Sequence, residues 1–204
     1  LAEGVRGKRA IEWRLVDAVA PRSRFGDAVA ERARKLAAGA PPRGMQPVLL
    51  EDVTPTVDGS TLRYRHVTLA LDGRVAELTV TAPAADHAAW PLRAWRELDD
   101  ALLRLRFQME EVGVVLVKTR GAAADVARAD EALLGDGGLA RETRLLVARV
   151  LRRLEATART FFAVVDEGSC FGGSLLELGL ACDRLYLLEG ARLTSAPGPL
   201  AARR

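Results

Sequence analysis

Aromatic side chains make up 5% of the 204 residues, and cysteine and histidine occur twice each. Lysine is almost as scarce, with three against 27 arginines. These shortages exclude whole classes of function. The formal charge is only +3, and aspartate and glutamate are interleaved throughout. With no basic run beside aromatics, nothing in the chain is built to track a nucleic acid. Cys170 and Cys182 form no Cys-x-x-Cys pair and sit in apolar surroundings, so they read as buried free thiols in a reducing, cytoplasmic setting. His66 and His87 lack ligand spacing to either cysteine, so no metal site is expected. No stretch approaches the roughly twenty apolar residues that span a membrane. The opening "LAEGVRGKRA" is broken by charge and glycine, unlike a signal peptide. The chain begins with Leu1 and reads as an internal piece of a longer protein.

What is present can fold. Hydrophobic residues make up 49%, enough for a core. "GKRAIEWRLVDAVAP" reads as a short helix followed by a brief apolar segment. Residues 24–38 carry Phe25, Val29, Ala33 and Leu36 at helical spacing, with Ser23 as the expected cap. Pro41, Pro42, Pro47 and Pro55 then crowd a stretch that predicts a linker over 39–62. Beyond it, "YRHVTLALDGRVAELTV" is a hairpin pattern turning at Asp72-Gly73. "PLRAWRELDDALLRLRFQ" predicts an amphipathic helix opened by Pro91. "VGVVLVKT" and "FFAVVD" are continuous apolar runs, as expected of strands covered on both faces. Residues 121–138 read as a looser segment, 139–158 as a long helix, 174–182 as another, and "RLYLLE" as a last strand. Strands alternating with helices after a hairpin predict an α/β unit with a largely parallel sheet.

The turn "DEGSCFGGS" (166–174), between the second apolar run and the helix after it, admits several chemistries. "GSCFGGS" fits the spacing of a phosphate-binding loop but lacks the lysine that contacts phosphate. Gly168-Ser169-Cys170-Phe171-Gly172 spells a cysteine version of the nucleophile elbow, yet no histidine follows it to act as base. A third reading is an oxyanion hole, with N–H groups at the head of the helix aimed at a thioester oxygen. A fourth is packing alone, the glycines letting the helix lie close to its strand.

"FFAVVDEGSCFGGSLLELGLACDRLYLLEG" and "VGVVLVKTRGAAADVARADEALL" resemble the crotonase (enoyl-CoA hydratase/isomerase) superfamily. "RAIEWRLVDAVAPRSRFGDAVAERARKLAA" is similar to a late segment of that fold, which here comes first. The resemblance implies a crotonase-like α/β spiral in tandem. Residues 1–38 would be the C-terminal tail of one module, 39–62 the linker, and 63–204 the N-terminal half of a second, incomplete module. It further implies an enzyme that opens the ring of an aromatic acyl-CoA thioester with water and releases formate. No cofactor or metal, no nucleic acid or membrane partner, and a homo-oligomeric parent are implied with it. Carried over residue by residue, the oxyanion N–H groups fall on Ala129 and on Gly173 or Ser174, with Gly172 beside them. The first catalytic acid falls on Glu177, turned by about 100° by one inserted residue. Arg128 stands where the family has glycine, and "RLTSAPGP" holds no carboxylate where the second acid belongs. The second module therefore reads as degenerate.

Overall fold

The computed structural model describes residues 4–41 and 47–194, which divide into two units, 1–48 and 49–204. In the first unit lie α1 (Gly7–Glu12), a 3-10 turn (Arg22–Arg24) and α2 (Phe25–Ala38). Ser23 is not the cap of α2, because it lies inside the 3-10 turn and no side chain caps either element. The apolar stripe of α2 is exposed, with Phe25, Val29 and Leu36 at 61%, 51% and 62%. Alanine and long straight side chains, good helix formers, sustain this helix without a packed face.

The second unit is built on one seven-stranded sheet whose spatial order is its chain order. Its strands are β1 (Thr56–Asp58), β2 (Thr61–Arg63), β3 (Val67–Asp72), β4 (Val75–Thr81), β5 (Val114–Arg120), β6 (Thr160–Val165) and β7 (Arg184–Leu187). The ladders from β1 to β4 are antiparallel, and those from β4 to β7 are parallel. The parallel sheet expected from the alternating pattern thus occupies the later rows only. Strand structure also begins earlier than expected, inside the predicted linker. Pro55 is the last proline of that stretch, and Gly59 (φ +55°) supplies the left-handed residue that turns β1 into β2. Gly73 (φ +56°) does the same for the predicted hairpin, where Asp72 pairs with Val75. Residues 114–120 form an inner row between β4 and β6, as their apolar run predicts.

The helices are α3 (Trp90–Gln108), α4 (Ala123–Leu134), α5 (Gly138–Glu155) and α6 (Gly173–Leu180). On α3, Ala94, Leu98, Ala101, Leu102 and Leu105 form the buried stripe that its periodicity predicts. Trp90 closes the start of that helix, its Nε1–H donating to the Thr81 carbonyl at 2.9 Å. Two turns on, buried Glu97 accepts from the backbone N–H groups of His66 (2.7 Å) and Val67 (3.1 Å), which ties α3 to the start of β3. Residues 121–138, expected to be irregular, contain α4. Alanine-rich "AADVARADEALL" is a good helix former, and Val126, Ala129, Asp130 and Leu133 make its buried stripe. The polar arginine and aspartates between them disguise that stripe.

Candidate oxyanion site at a strand–turn–helix

β6 ends at Val165, and the turn that follows is stitched to the end of β5. The Arg120 guanidinium grips the Asp166 carboxylate with both nitrogens, at 2.5 and 2.9 Å, and holds it below its ordinary range. Ser169 Oγ accepts from the Asp166 N–H and donates back to Asp166 Oδ1, both at 2.9 Å. Gly168 (φ +77°) allows the reversal, and its carbonyl accepts from the Gly121 N–H at 3.2 Å. The Cys170 N–H donates to Thr119 Oγ1 at 2.8 Å, inside the core. Backbone and small polar groups therefore fix this turn at the carboxyl end of the parallel rows. Open α/β sheets place their ligand sites there.

The sequence-predicted residues divide in two. Gly172, Gly173, Ser174 and Glu177 come together at the head of α6, where Gly172 is the extended cap residue. A Cβ on Gly172 would stand 3.2 Å from the Ala123 Cβ and 3.3 Å from the Thr194 Cβ. The heads of α4 and α6, one following β5 and the other β6, thus lie side by side. The first N–H groups of a helix have no acceptor within it, so two adjacent heads can aim such donors at one region.

Ala129 does not join them. It lies within α4, fully buried, where N–H groups bond to carbonyls four residues back. The loop expected around it is helical, and Ala123 occupies the position beside the turn. The signal for that was "GAAAD", a glycine followed by the start of an alanine-rich helix. Most of "RLTSAPGP", where a second acid was sought, lies outside the described residues.

Asp130, in the same "ARAD" motif, does reach the site. The Ser174 N–H donates to its Oδ2 at 2.6 Å, in the core. Gly173 has φ +51°, and a Cβ there would lie 2.2 Å from that same oxygen. Burial, reinforced by the charge of half-buried Glu177, pushes the Asp130 carboxyl up to about 6.

Cys170 is buried, and burial pushes its thiol up, opposite to what a nucleophile needs. His87 Nε2 lies 3.1 Å from Asp125 Oδ1, and His66 sits edge-on to Trp90. Burial also lowers His66, through a desolvated imidazole. Among the described residues no group of three or more His, Cys, Asp or Glu is placed to hold a metal, and no helix is long and apolar enough to cross a membrane. A thiol reagent at pH 8 should modify Cys170 only as the protein unfolds. Prompt stoichiometric labelling of the folded chain at Cys170 would restore the nucleophile reading.

Strand, glycine turn and helix at the end of a parallel row, with two helix heads side by side, define an α/β unit with a candidate anion-binding end. No family model matches the chain. Over a 215-residue alignment it is 39% identical to the benzoyl-CoA-dihydrodiol lyase of Aromatoleum evansii, across 97% of this chain and 39% of that protein. The chain thus resembles that lyase over nearly its own whole length, while spanning about two fifths of the relative. Two solved structures are also similar in part. An enoyl-CoA hydratase/carnithine racemase from Magnetospirillum magneticum is 21% identical, with TM-score 0.46, covering 61% of this chain and 47% of that one. An enoyl-CoA hydratase from Bacillus anthracis is 17% identical, with TM-score 0.43, covering 61% and 51%.

Proposed function

We propose that the chain is part of a carbon–carbon lyase that opens the ring of 2,3-epoxybenzoyl-CoA with water, releasing formate and a semialdehyde CoA thioester. The observation that carries this reading is the 39% identity extending over 97% of the chain. Residues 1–38 are then the tail of one crotonase module, and 63–204 the first half of a second. The second module is the supporting one. Its Ala129 N–H is spent within α4, its Ser174 N–H is taken by Asp130, and the Asp130 carboxylate fills the space beside Gly173. The pairing of Ala129 with Gly173 or Ser174 carried over from the family is therefore not in place for a thioester carbonyl. Glu177 then has no reacting atom to serve, and the working acids belong to the first module. The full-length protein is a cytoplasmic homo-oligomer of aromatic catabolism that takes an aromatic acyl-CoA and needs no cofactor.

The reading is tested by a chimera. This chain replaces the aligned segment of the Aromatoleum evansii lyase, and formate release from 2,3-epoxybenzoyl-CoA is measured. Turnover within about tenfold of the parent is expected, with Glu177→Gln in the chimera changing it little. The chain alone should release none. A folded chimera without turnover sinks the assignment, and a folded Glu177→Gln chimera that loses a hundredfold or more sinks the division of labour, since general acid–base groups contribute roughly 10²–10⁴-fold.

A further inference from the structure

A carboxylate already stands at the head of α6. Asp130 is 6% exposed, its Oδ2 is held by the Ser174 N–H, and its Oδ1 is buried without a hydrogen-bond partner. Gly173 leaves the space that this carboxylate fills, since a side chain there would overlap it. Among the described residues no cation pairs with Asp130, so the helix head is its main electrostatic support. The neighbouring charges give little relief. Glu177 of α6 repels it, and on its own helix Asp125 is tied to His87 while Arg128 and Glu131 are exposed. Arg144 of α5 is engaged by the Leu133 and Gly135 carbonyls at the far end of α4. A buried carboxyl in a glycine cradle, bonded to a helix-head N–H and lacking a counter-ion, is placed as a bound anion would be.

We propose that the head of α6 is an anion site which the chain fills for itself, with Asp130 as the ligand, and that a small external carboxylate takes the place when this side chain is removed. The proposal deepens the reading of the second module as catalytically silent, because a site filled from within cannot take a thioester oxygen. It assumes no acyl-CoA, and its tests use none. A failure here therefore leaves the chimera result untouched, and the reverse holds too.

The first test is rescue. Asp130→Gly should melt below wild type, and formate should raise its melting temperature by about 2–5 °C at saturating concentration, as linkage requires of a ligand that binds only the folded state. Chloride at equal ionic strength should not, and wild type should not respond to formate. Equal responses from both proteins, or none from folded Asp130→Gly, overturn the proposal. Asp130→Asn, which keeps the shape, covers the case of a glycine variant that fails to fold. The Ser174 amide resonance of wild type should then titrate with a midpoint of about 6, in step with the carboxyl. That titration should vanish in Asp130→Asn. A Ser174 amide that titrates equally in both proteins overturns the proposal as well.

Discussion

Gly173→Ala is expected to destabilise the chain by about 2–4 kcal/mol, the joint cost of a left-handed alanine and a lost buried hydrogen bond. For a unit of this size that is a fall of roughly 5–15 °C in melting temperature. Gly173 sits at φ +51°, where a Cβ is strained whatever the space, and the Cβ position lies 2.2 Å from Asp130 Oδ2. The carboxylate must move, and the Ser174 N–H loses its acceptor. A double-mutant cycle separates the two costs. With Asp130→Gly in place the overlap is gone, so adding Gly173→Ala should cost only the strain, about 1 kcal/mol. Additive effects would show that Asp130 and Gly173 do not compete for the same space. A purely chemical role for Gly173 makes a different forecast, of roughly 10²–10³ in turnover with melting unchanged.

Glu97→Ala is expected to cost about 2–3 kcal/mol, because one buried side chain satisfies two backbone donors. Glu97 Oε2 accepts from the N–H groups of His66, just before β3, and of Val67, its first residue, and that strand pairs along its whole length with β4. Glu97→Gln keeps a carbonyl oxygen at the same reach and removes the buried charge. Burial raises the Glu97 carboxyl above its ordinary value, so the folded chain binds this proton more tightly than the unfolded chain does. Its contribution is then fullest below the unfolded value and declines as pH rises through the folded one. At neutral pH the glutamine variant should therefore lie within about 1 kcal/mol of wild type, well above the alanine variant. Denaturant melts of the three proteins at pH 7 decide it. Alanine and glutamine variants of equal stability would mean that the two N–H groups find other partners.

What was legible in the sequence follows from how strongly each stretch expresses one period. α3 repeats its apolar residues over five turns, and β5 and β6 are apolar runs too short for helices, so each stands where expected. α4 was missed because its buried stripe contains Asp130, a charged residue in a core position. The same residue explains why the site was only half legible. Glycines 172 and 173 advertise a close approach, but nothing in their spacing says that what approaches is a side chain of the chain itself. β1 and β2 are three residues each, too short for alternation to register, and prolines just before them suggested a linker. The stripe on α2 was read correctly as a pattern, yet its apolar residues Phe25, Val29 and Leu36 are exposed.

The sheet's spatial order, identical to its chain order, gives it a direction of growth during synthesis. Each strand emerging from a ribosome meets the row laid down just before it, and none has to be threaded between rows already paired. The first four rows need only hairpin-scale closure, which takes microseconds. Every later row waits for a helical crossover to be made, because parallel neighbours cannot be joined by a tight turn. The antiparallel rows thus become the template on which the slower parallel half is built, and α6 with its glycine turn is among the last parts to find its place.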